Sequence, residues 1–457
     1  MIVDLDKYRT RLKDIDLLPC RGAVVRVSGM TVESKGPPVG MGQICDIIVP
    51  GGRRVPAEVV GFRDKLRVLL PLAGIEGVSP GNQVVASTVH RHITLGPALL
   101  GRVIDAMGKP IDGLGPLLGT DYRSLDAPVM APLSRTPITE PLSFGLRSFD
   151  GLLTCGKGQR IGIFAGSGVG KSTLLGEIAQ SNSADVNVLV LVGERGREVR
   201  HFLENSLGPE GLARSVVAVA TSDTSAIQRV KVAFTATTIA EYFRDRGKNV
   251  MFMMDSITRF AQAQREIGLA AGEPPTTKGY TPSVFSMLPK LTERLGCTET
   301  GSITGIYTTL VEGDDMNDPV ADSVRSLLDG HVVLSRKLAE QGHYPAVDIL
   351  QSVSRLMTSI VAPEHSAAAR RMRAIYSTYR DAEDLINIGA LAPGANPKID
   401  MSIKLMDQIV DFLIQETATR TSFDETVKRM IDMTEPWAAL EDAQDVQGKL
   451  NAVAVHQ

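Results

Sequence analysis

Aromatic residues are scarce in this chain: they make up 5% of 457 residues, and tryptophan occurs once. Nor do the aromatics form a recognisable platform within a basic groove of the kind that single-stranded nucleic acid needs. An excess of either charge is also missing. Lys plus Arg number 49 against 52 Asp plus Glu, a net −3, so nothing in the overall balance draws a polyanion. The four cysteines (Cys20, Cys45, Cys155, Cys297) are scattered and form no CxxC pair. This excludes a disulfide frame and a cysteine-built zinc site, and free thiols in a reducing cytosol are expected. No apolar run reaches the roughly 18 residues of a membrane span, and acids interrupt the apolar N-terminus, so neither a transmembrane helix nor a secretory signal is expected. His90 and His92 could form a metal pair, but no third ligand stands nearby, and exposed histidines are the expectation. There is no internal repeat and no low-complexity tract.

What the chain does have is a strong local signal at residues 161–173. The apolar run Ile161-Gly162-Ile163-Phe164-Ala165 leads into Gly166-Ser167-Gly168-Val169-Gly170-Lys171-Ser172-Thr173, and an amphipathic segment follows at helical spacing. Strand, glycine-rich loop and helix form the context of a phosphate-binding loop. Its glycines let backbone N–H groups turn inward around phosphate oxygens, and the helix N-terminus adds partial positive charge. Lys171 can reach the β- and γ-phosphates, and the Ser172 hydroxyl can sit on Mg²⁺. Ala165 stands where the pattern usually opens with glycine, which is tolerable if its φ is negative.

Around this loop the chain divides into four parts. In residues 1–18, Leu5, Tyr8, Leu12 and Ile15 recur at spacings of three and four, predicting a short amphipathic helix ended by Pro19. Such a helix needs something to pack on, either its own domain or a partner protein. In residues 19–92 the period becomes two. Segments 23–32, 43–49, 55–62, 65–72 and 83–89 predict a small β-barrel or sandwich with nothing catalytic in it. Residues 93–150, rich in Gly and Pro, read as the crossing to a core that runs to residue 355. There, strands at 160–164, 187–192, 215–220, 249–254, 302–308 and 331–334 alternate with helices at 172–180, 197–205, 226–246 and 282–295. Alternation of this kind predicts a parallel α/β sheet covered on both faces. The stretch 268–280 reads as an exposed loop. Strand signals stop after residue 355. Segments 366–388 and 399–418 predict a helical C-terminal domain in 356–457, and no structure is assigned after Pro436.

Three further stretches bear on chemistry. Val250-Met251-Phe252-Met253-Met254-Asp255 places an aspartate at the end of an apolar strand, where it can hold Mg²⁺ through water while Ser172 ligates directly. Glu194, in Gly193-Glu194-Arg195-Gly196-Arg197, stands just past a strand's C-terminal end, where open α/β sheets place ligands. It is the candidate to orient and polarise an attacking water. The third stretch runs from Tyr344 to Arg355. Spacing alone reads Tyr344 as a core aromatic and Arg355 as a surface ion-pair partner.

The combination of residues 165–173, 193–197, 254–260 and 344–355 resembles the catalytic subunit of rotary ATP synthases, and more closely the hexameric ATPases of type III protein export. The resemblance runs over most of the chain. Within that group, residues 279–285 and 312–319 look more like the flagellar export ATPase than the virulence-secretion one. The resemblance implies a RecA-like P-loop core between a small β-barrel and a helical domain. It also implies roles. Residues Gly166, Ser167, Gly168, Val169, Gly170, Lys171, Ser172 and Thr173 would cradle ATP, with Ser172 and Asp255 serving Mg²⁺. Glu194 would be the general base, and Arg195 and Arg259 would position phosphate oxygens and that base. Tyr344 would stack on adenine, and Arg355 would be a finger inserted into the neighbouring subunit's site. Residues 391–398, where resembling chains carry a second adenine-packing position, read differently here, and no residue is carried over.

The implied function is a homohexameric motor that drives protein export. Its N-terminal helix would meet an export-apparatus regulator, and a central stalk protein, export gate, chaperones and export substrates would be its other partners. It would stand in the cytoplasm at the inner membrane, reaching the bilayer only through those partners. A non-catalytic nucleotide-binding ring subunit is the rival from another class. Glu194 discriminates, since resembling non-catalytic chains carry an amide there. A nucleic-acid motor is disfavoured by the charge balance and by the missing aromatics.

Overall fold

The computed structural model describes residues 20–87, 92–119, 121–311, 313, 315–392, 394, 396–417 and 419–455, with side chains as far as 443. The helix expected in 1–18, as well as His90, Glu312 and Asp314, lies outside the described residues.

Six strands, β1 (Arg21–Ser28), β2 (Thr31–Lys35), β3 (Ile44–Ile48), β4 (Arg54–Arg63), β5 (Leu66–Pro71) and β6 (Gln83–Ala86), close a barrel in the order β1-β2-β5-β4-β3-β6. Alternate residues fill it: Ile47, Val55, Ala57, Val59, Leu69 and Val84 are all buried within. The segment read as one strand over 23–32 is two strands, turned at Gly29 with φ of 56°. The outer face of the barrel rests on the core through Val60, Val68, Leu70 and Ile227. A Glu58–Lys231 ion pair of 2.8 Å spans the same boundary.

The Gly/Pro-rich stretch does more than connect. It carries β7 (His92–Leu95), β8 (Val103–Ile104), β9 (Asp121–Ser124) and β10 (Pro141–Leu142). β7 pairs with β9, and β8 adds a parallel edge to the main sheet. A first short helix, α1 (Arg147–Leu152), and β11 (Cys155–Gly156), which pairs with β10, lead into the core.

The main sheet contains β12 (Arg160–Ala165), β13 (Val186–Val192), β14 (Ser215–Ala220), β15 (Asn249–Asp255), β17 (Ser302–Leu310), β18 (Gly330–Leu334) and β19 (Val347–Ser354). Its order is β19-β18-β12-β17-β15-β13-β14-β8, and the short β16 (Gly296–Cys297) hangs antiparallel on β17. All neighbours along the main order are parallel except β19, which runs antiparallel to β18. The strands are apolar on both sides because both faces are covered. Leu189, Leu191, Met251, Met253, Ile161 and Ile163 point into one apolar cluster, while Val188, Val190, Phe252, Met254 and Phe164 point into the other.

The helices that cover the sheet follow in chain order. They are α2 (Lys171–Ser181), α3 (Gly196–His201), α4 (Gly208–Ala213), α5 (Ala226–Arg244), α6 (Ile257–Ala271), α7 (Pro282–Thr292), α8 (Pro319–Leu327), α9 (Arg336–Glu340) and α10 (Met357–Ile360). Two expectations change here. The helix expected over 197–205 gives way after His201 to one π turn, Phe202–Leu207. Gly176 of α2 lies so close to this turn that a Cβ there would stand 2.6 Å from Ser206. The loop expected over 268–280 begins later, because α6 continues to Ala271 and is closed by Gly272 at φ of 94°.

The C-terminal helices are α11 (Pro363–Asn387), α12 (Pro397–Leu413) and α13 (Phe423–Val455). α13 runs straight through Pro436, where the sequence predicts no structure. Burial of Trp437 beside Met430 and the Trp437 Nε1–Glu441 bond of 3.1 Å outweigh the one backbone bond that proline removes.

Candidate active site

The loop between β12 and α2 is shaped by two glycines in the left-handed region, Gly168 (φ 80°) and Gly170 (φ 89°). Ala165 ends β12 in extended backbone, and among the described residues only Asp64 and Lys278 are non-glycines at positive φ, so alanine fits its place. Val169 turns into the core, while Ser167 and Gly168 face out. The loop, the first turn of α2 and the ends of β13 and β15 enclose a polar cavity of about 600 Å³. Gly166, Ser167, Gly168, Gly170, Lys171, Ser172, Thr173, Glu194, Arg195 and Arg259 all line it. Parallel strands that end together at one edge explain how residues far apart in sequence converge there.

Asp255 is buried at the end of β15, and its Oδ1 accepts from Lys171 Nζ at 2.5 Å and from Thr308 Oγ1 at 2.7 Å. Thr308, on the adjacent β17, went unnoticed in sequence. Only the pairing of β15 with β17 brings it there. Ser172 and Asp255 open together on a second cavity of about 470 Å³. The Ser172 hydroxyl has no hydrogen-bond partner among the described residues.

Glu194 borders both cavities. Its loop is fixed on each side: Gly193 N donates to Ala220 O (2.6 Å), and Ser222 N donates to Glu194 O (3.0 Å). Gly193, at φ of 69°, packs against the Arg259 side chain. Burial, and next the charge of Asp255, push the Glu194 carboxyl up to about 7; Lys171 opposes the rise and Glu198 adds to it. A carboxyl poised near neutrality beside a polar cavity can exchange a proton with water. Arg195 is the residue before α3, makes no side-chain cap there and is exposed, with Glu198 Oε1 at 3.4 Å. Arg259 is half-buried, and its Nη1 donates to Gln262 Oε1 at 3.3 Å.

Tyr344 stands on the other side of the loop, 45% exposed, with its ring edge against Gly170. It is therefore no core aromatic. With Gly168, Val169, Thr173, Pro345 and Ala346 it forms one wall of a third cavity, of about 520 Å³. Ile414, Gln415, Glu416 and Thr417, just past α12, line it as well. Gln415 N donates to Tyr344 O at 2.9 Å, and Gln415 Nε2 to Gly145 O at 2.9 Å, tying that segment to the core. Of the described residues in 391–398, from which no site residue is carried over, none lines this cavity; residues 414–417, which do, carry no motif and are brought there by tertiary packing.

Arg355 lines none of these cavities. Ala165 pairs with Leu334 and Leu334 with Val347 at the loop end of the sheet, whereas Gly330 pairs with Ser354 at the opposite end. The four residue steps along β18 from Gly330 to Leu334 separate the two ends by about 13 Å. Arg355 is exposed. Its Nη2 reaches only Arg325 O at 3.4 Å, and it makes no ion pair among the described residues. The reading of a surface ion-pair partner does not hold.

A phosphate loop joined to a strand-end aspartate and a strand-end glutamate across a parallel sheet defines a P-loop ATPase core of the RecA-like type. Residues 145–354 match the nucleotide-binding domain of the ATP synthase alpha/beta family, and residues 361–432 match the T3SS EscN ATPase C-terminal domain. The chain is 53% identical over 415 residues to the flagellum-specific ATP synthase of Bacillus subtilis, covering 90% of this chain and 95% of the relative. Its fold superposes on the assembled ATPase EscN of the enteropathogenic E. coli type III secretion system with a TM-score of 0.86. There the identity is 46%, with 90% of this chain and all of that chain covered. EscN in complex with its central stalk EscO superposes with a TM-score of 0.84 at 45% identity and the same coverage. The chain belongs to the ATP synthase alpha/beta family, in the branch of flagellar and type III secretion ATPases.

Proposed function

We propose that this ATPase is the Mg-ATP-hydrolysing motor of a flagellar type III export apparatus, working as a homohexameric ring with catalytic sites at subunit boundaries. The observation that carries the catalytic reading is Glu194, a carboxylate raised to about 7 at the mouth of the phosphate cavity. It would take a proton from the attacking water, while Lys171 leaves Asp255 for the phosphates and Arg195 and Arg259 steady the oxygens and the base. Residues 166–173 would cradle the phosphates. Tyr344 would stack on adenine, and Ile414, which lines the same cavity, would close the other side. Arg355, unpaired and at the far end of its own sheet, would complete the adjoining subunit's site.

Mg²⁺ suits the donor set. The free Ser172 hydroxyl and the Asp255 carboxylate open on one cavity, and the described residues hold no cluster of three or more His, Cys, Asp or Glu that would favour another metal. Bound there, Mg²⁺ would neutralise charge on the β- and γ-phosphates.

The flagellar assignment over the virulence one rests on residues 279–285 and 312–319 and on the 53% identity to the Bacillus flagellar relative; other flagellar relatives, at 44–47%, are no nearer than a type 3 secretion ATPase at 48%. A central stalk protein is the partner that the EscN–EscO complex suggests by likeness. An export-apparatus regulator would hold the 1–18 segment, and the export gate, chaperones and substrates would complete the set. Among the described residues no helix is long and apolar enough to cross a membrane, which suits a cytoplasmic enzyme brought to the inner membrane by partners. The boundaries 1–18, 19–92, 93–355 and 356–457 are our proposed division. The test of the catalytic reading is Glu194→Gln: ATP binding persists while hydrolysis is lost, and hydrolysis at the wild-type rate refutes it.

A further inference from the structure

β19 is not a regular strand. His331 pairs with Val353 and Val333 with Asp348, so two steps along β18 face five along β19, and residues 349–352 loop out of the ladder. A bulge of this size strands backbone carbonyls and re-aims whatever follows it. Two sets of groups hold this one. From within, Asp348 Oδ1 accepts from Leu350 N (3.0 Å) and Gln351 N (3.1 Å). Ser352 Oγ donates to Asp348 O at 2.6 Å and accepts from Val333 N at 2.9 Å. From outside comes Arg373 of α11. Its Nη1 donates to Ile349 O and to Ser352 O (3.0 Å), and its Nη2 to Leu152 O (3.0 Å). Two helical turns on, Arg380 lies on the same face of α11, 3.5 Å from Asp348 Oδ2.

Arg373 is therefore spent on carbonyls, and no carboxylate pairs with it among the described residues. A planar guanidinium spreads its donors over separate nitrogens and so reaches carbonyls set apart, here from Nη1 and Nη2, whereas an ammonium gathers its three donors on one nitrogen. Arg355 follows three residues after Ser352. Its backbone N–H is held from the other side by Asp329 O at 3.0 Å, and Leu350 and Val353 beside it are 37% and 39% exposed. The segment that presents Arg355 is thus fixed at one end by the core and at the other by the helical domain.

We infer that Arg373 is a positioning residue for Arg355: from the C-terminal helical domain it sets the bulge of β19, and through the bulge the aim of Arg355 into the adjoining subunit's site. This rests on the reading of Arg355 as a finger. It makes the stance of one subunit's helical domain a control on its neighbour's hydrolysis.

The experiment compares Arg373→Met with its parent in two backgrounds, wild type and Arg355→Ala, by single-turnover hydrolysis in assembled rings. In the wild-type background Arg373→Met lowers the rate about 10²-fold, the cost of misplacing a catalytic group by about 1 Å. KM for ATP moves by no more than about twofold, because uniform substrate binding is untouched. In the Arg355→Ala background the same substitution costs nothing further. An equal loss in both backgrounds assigns Arg373 a merely structural role and overturns the inference, as does an unchanged rate in the wild-type background. Wild-type turnover by Arg355→Ala alone is a separate result, which removes the finger reading and this inference with it. If Arg373→Met fails to assemble, Arg373→Lys keeps charge and length but cannot bridge the three carbonyls. It then shows a smaller loss that again disappears when Arg355 is absent.

Discussion

Mixing two inactive variants tests the shared site most directly. Lys171→Ala removes the cation that pairs with Asp255 at the phosphate loop, and Arg355→Ala removes an exposed guanidinium at the opposite end of the same sheet. Arg355 has one weak hydrogen bond and no ion pair among the described residues, so its loss should change folding stability by no more than about 0.5 kcal/mol. Its loss from a transition state should slow turnover by roughly 10³–10⁵, or about 4–7 kcal/mol of barrier. Each variant alone is therefore a folded and slow enzyme. In a head-to-tail ring each site takes its lysine from one subunit and its arginine from the next. Random mixing in equal amounts then leaves about a quarter of the sites with both. Single-turnover hydrolysis of the mixture should show a rapid phase at the wild-type rate, with an amplitude of about a quarter of the sites, absent from either variant alone. Native mass spectrometry establishes that mixed rings formed. Mixed rings with no rapid phase would refute the reasoning: Arg355 would then act in its own subunit or not at all.

Glu194→Gln should remove hydrolysis by at least about 10²-fold while leaving ATP binding intact, read by single-turnover rate and by calorimetric titration. In the wild type, kcat/KM should rise with pH through about 7, because the base works only as the carboxylate. The same raised value makes the folded state keep a proton that the unfolded chain loses between about 4.5 and 7, so this group's contribution to stability falls as pH rises through that window. Glu194→Gln should accordingly be more stable than wild type at pH 8 by roughly 1–2 kcal/mol, after discounting for its partial exposure, and no more stable at pH 4; a higher melting temperature at both pH values would be the contrary result. Tyr344→Ala should raise KM for ATP up to about tenfold with kcat little changed, and Tyr344→Phe should be silent, since stacking uses the ring and not the hydroxyl. Arg294→Met should cost about 3–5 kcal/mol in thermal unfolding, because it leaves Glu241, its partner at 2.6 Å, buried and unpaired.

The parallel core could be read from sequence because its strands are short, apolar and buried on both faces, and the phosphate loop because glycine, lysine and serine must stand at fixed offsets. Glu194 and Asp255 could be read as strand-end carboxylates. The site's remaining parts depend on contacts between distant segments. β8 is two residues long and exists only because Val217 and Ala218 offer an edge. β19 lacks a strand period because its bulge interrupts the alternation. Ile414 reaches the cavity behind Tyr344 by the docking of α12, and nothing local marks it. At Pro436 the local rule pointed the wrong way, since Trp437 found a core to fill.

The division of apolar clusters carries a consequence for cutting and recombining the chain. The barrel fills its interior from its own strands and, being closed, has no edge to protect. The helical domain has no such interior. Ile375, Leu405, Phe412 and Trp437 share one continuous cluster with Ile163, Leu174 and Met253 of the nucleotide core. A chimera joined near residue 92 exchanges a self-contained module across a modest seam. One joined near residue 356 divides a single interior between two parents, and it should fold only where both contribute matching side chains. Limited proteolysis and hydrogen exchange should show the same partition, with the barrel opening as one cooperative unit and the helices protected only together with the sheet they cover.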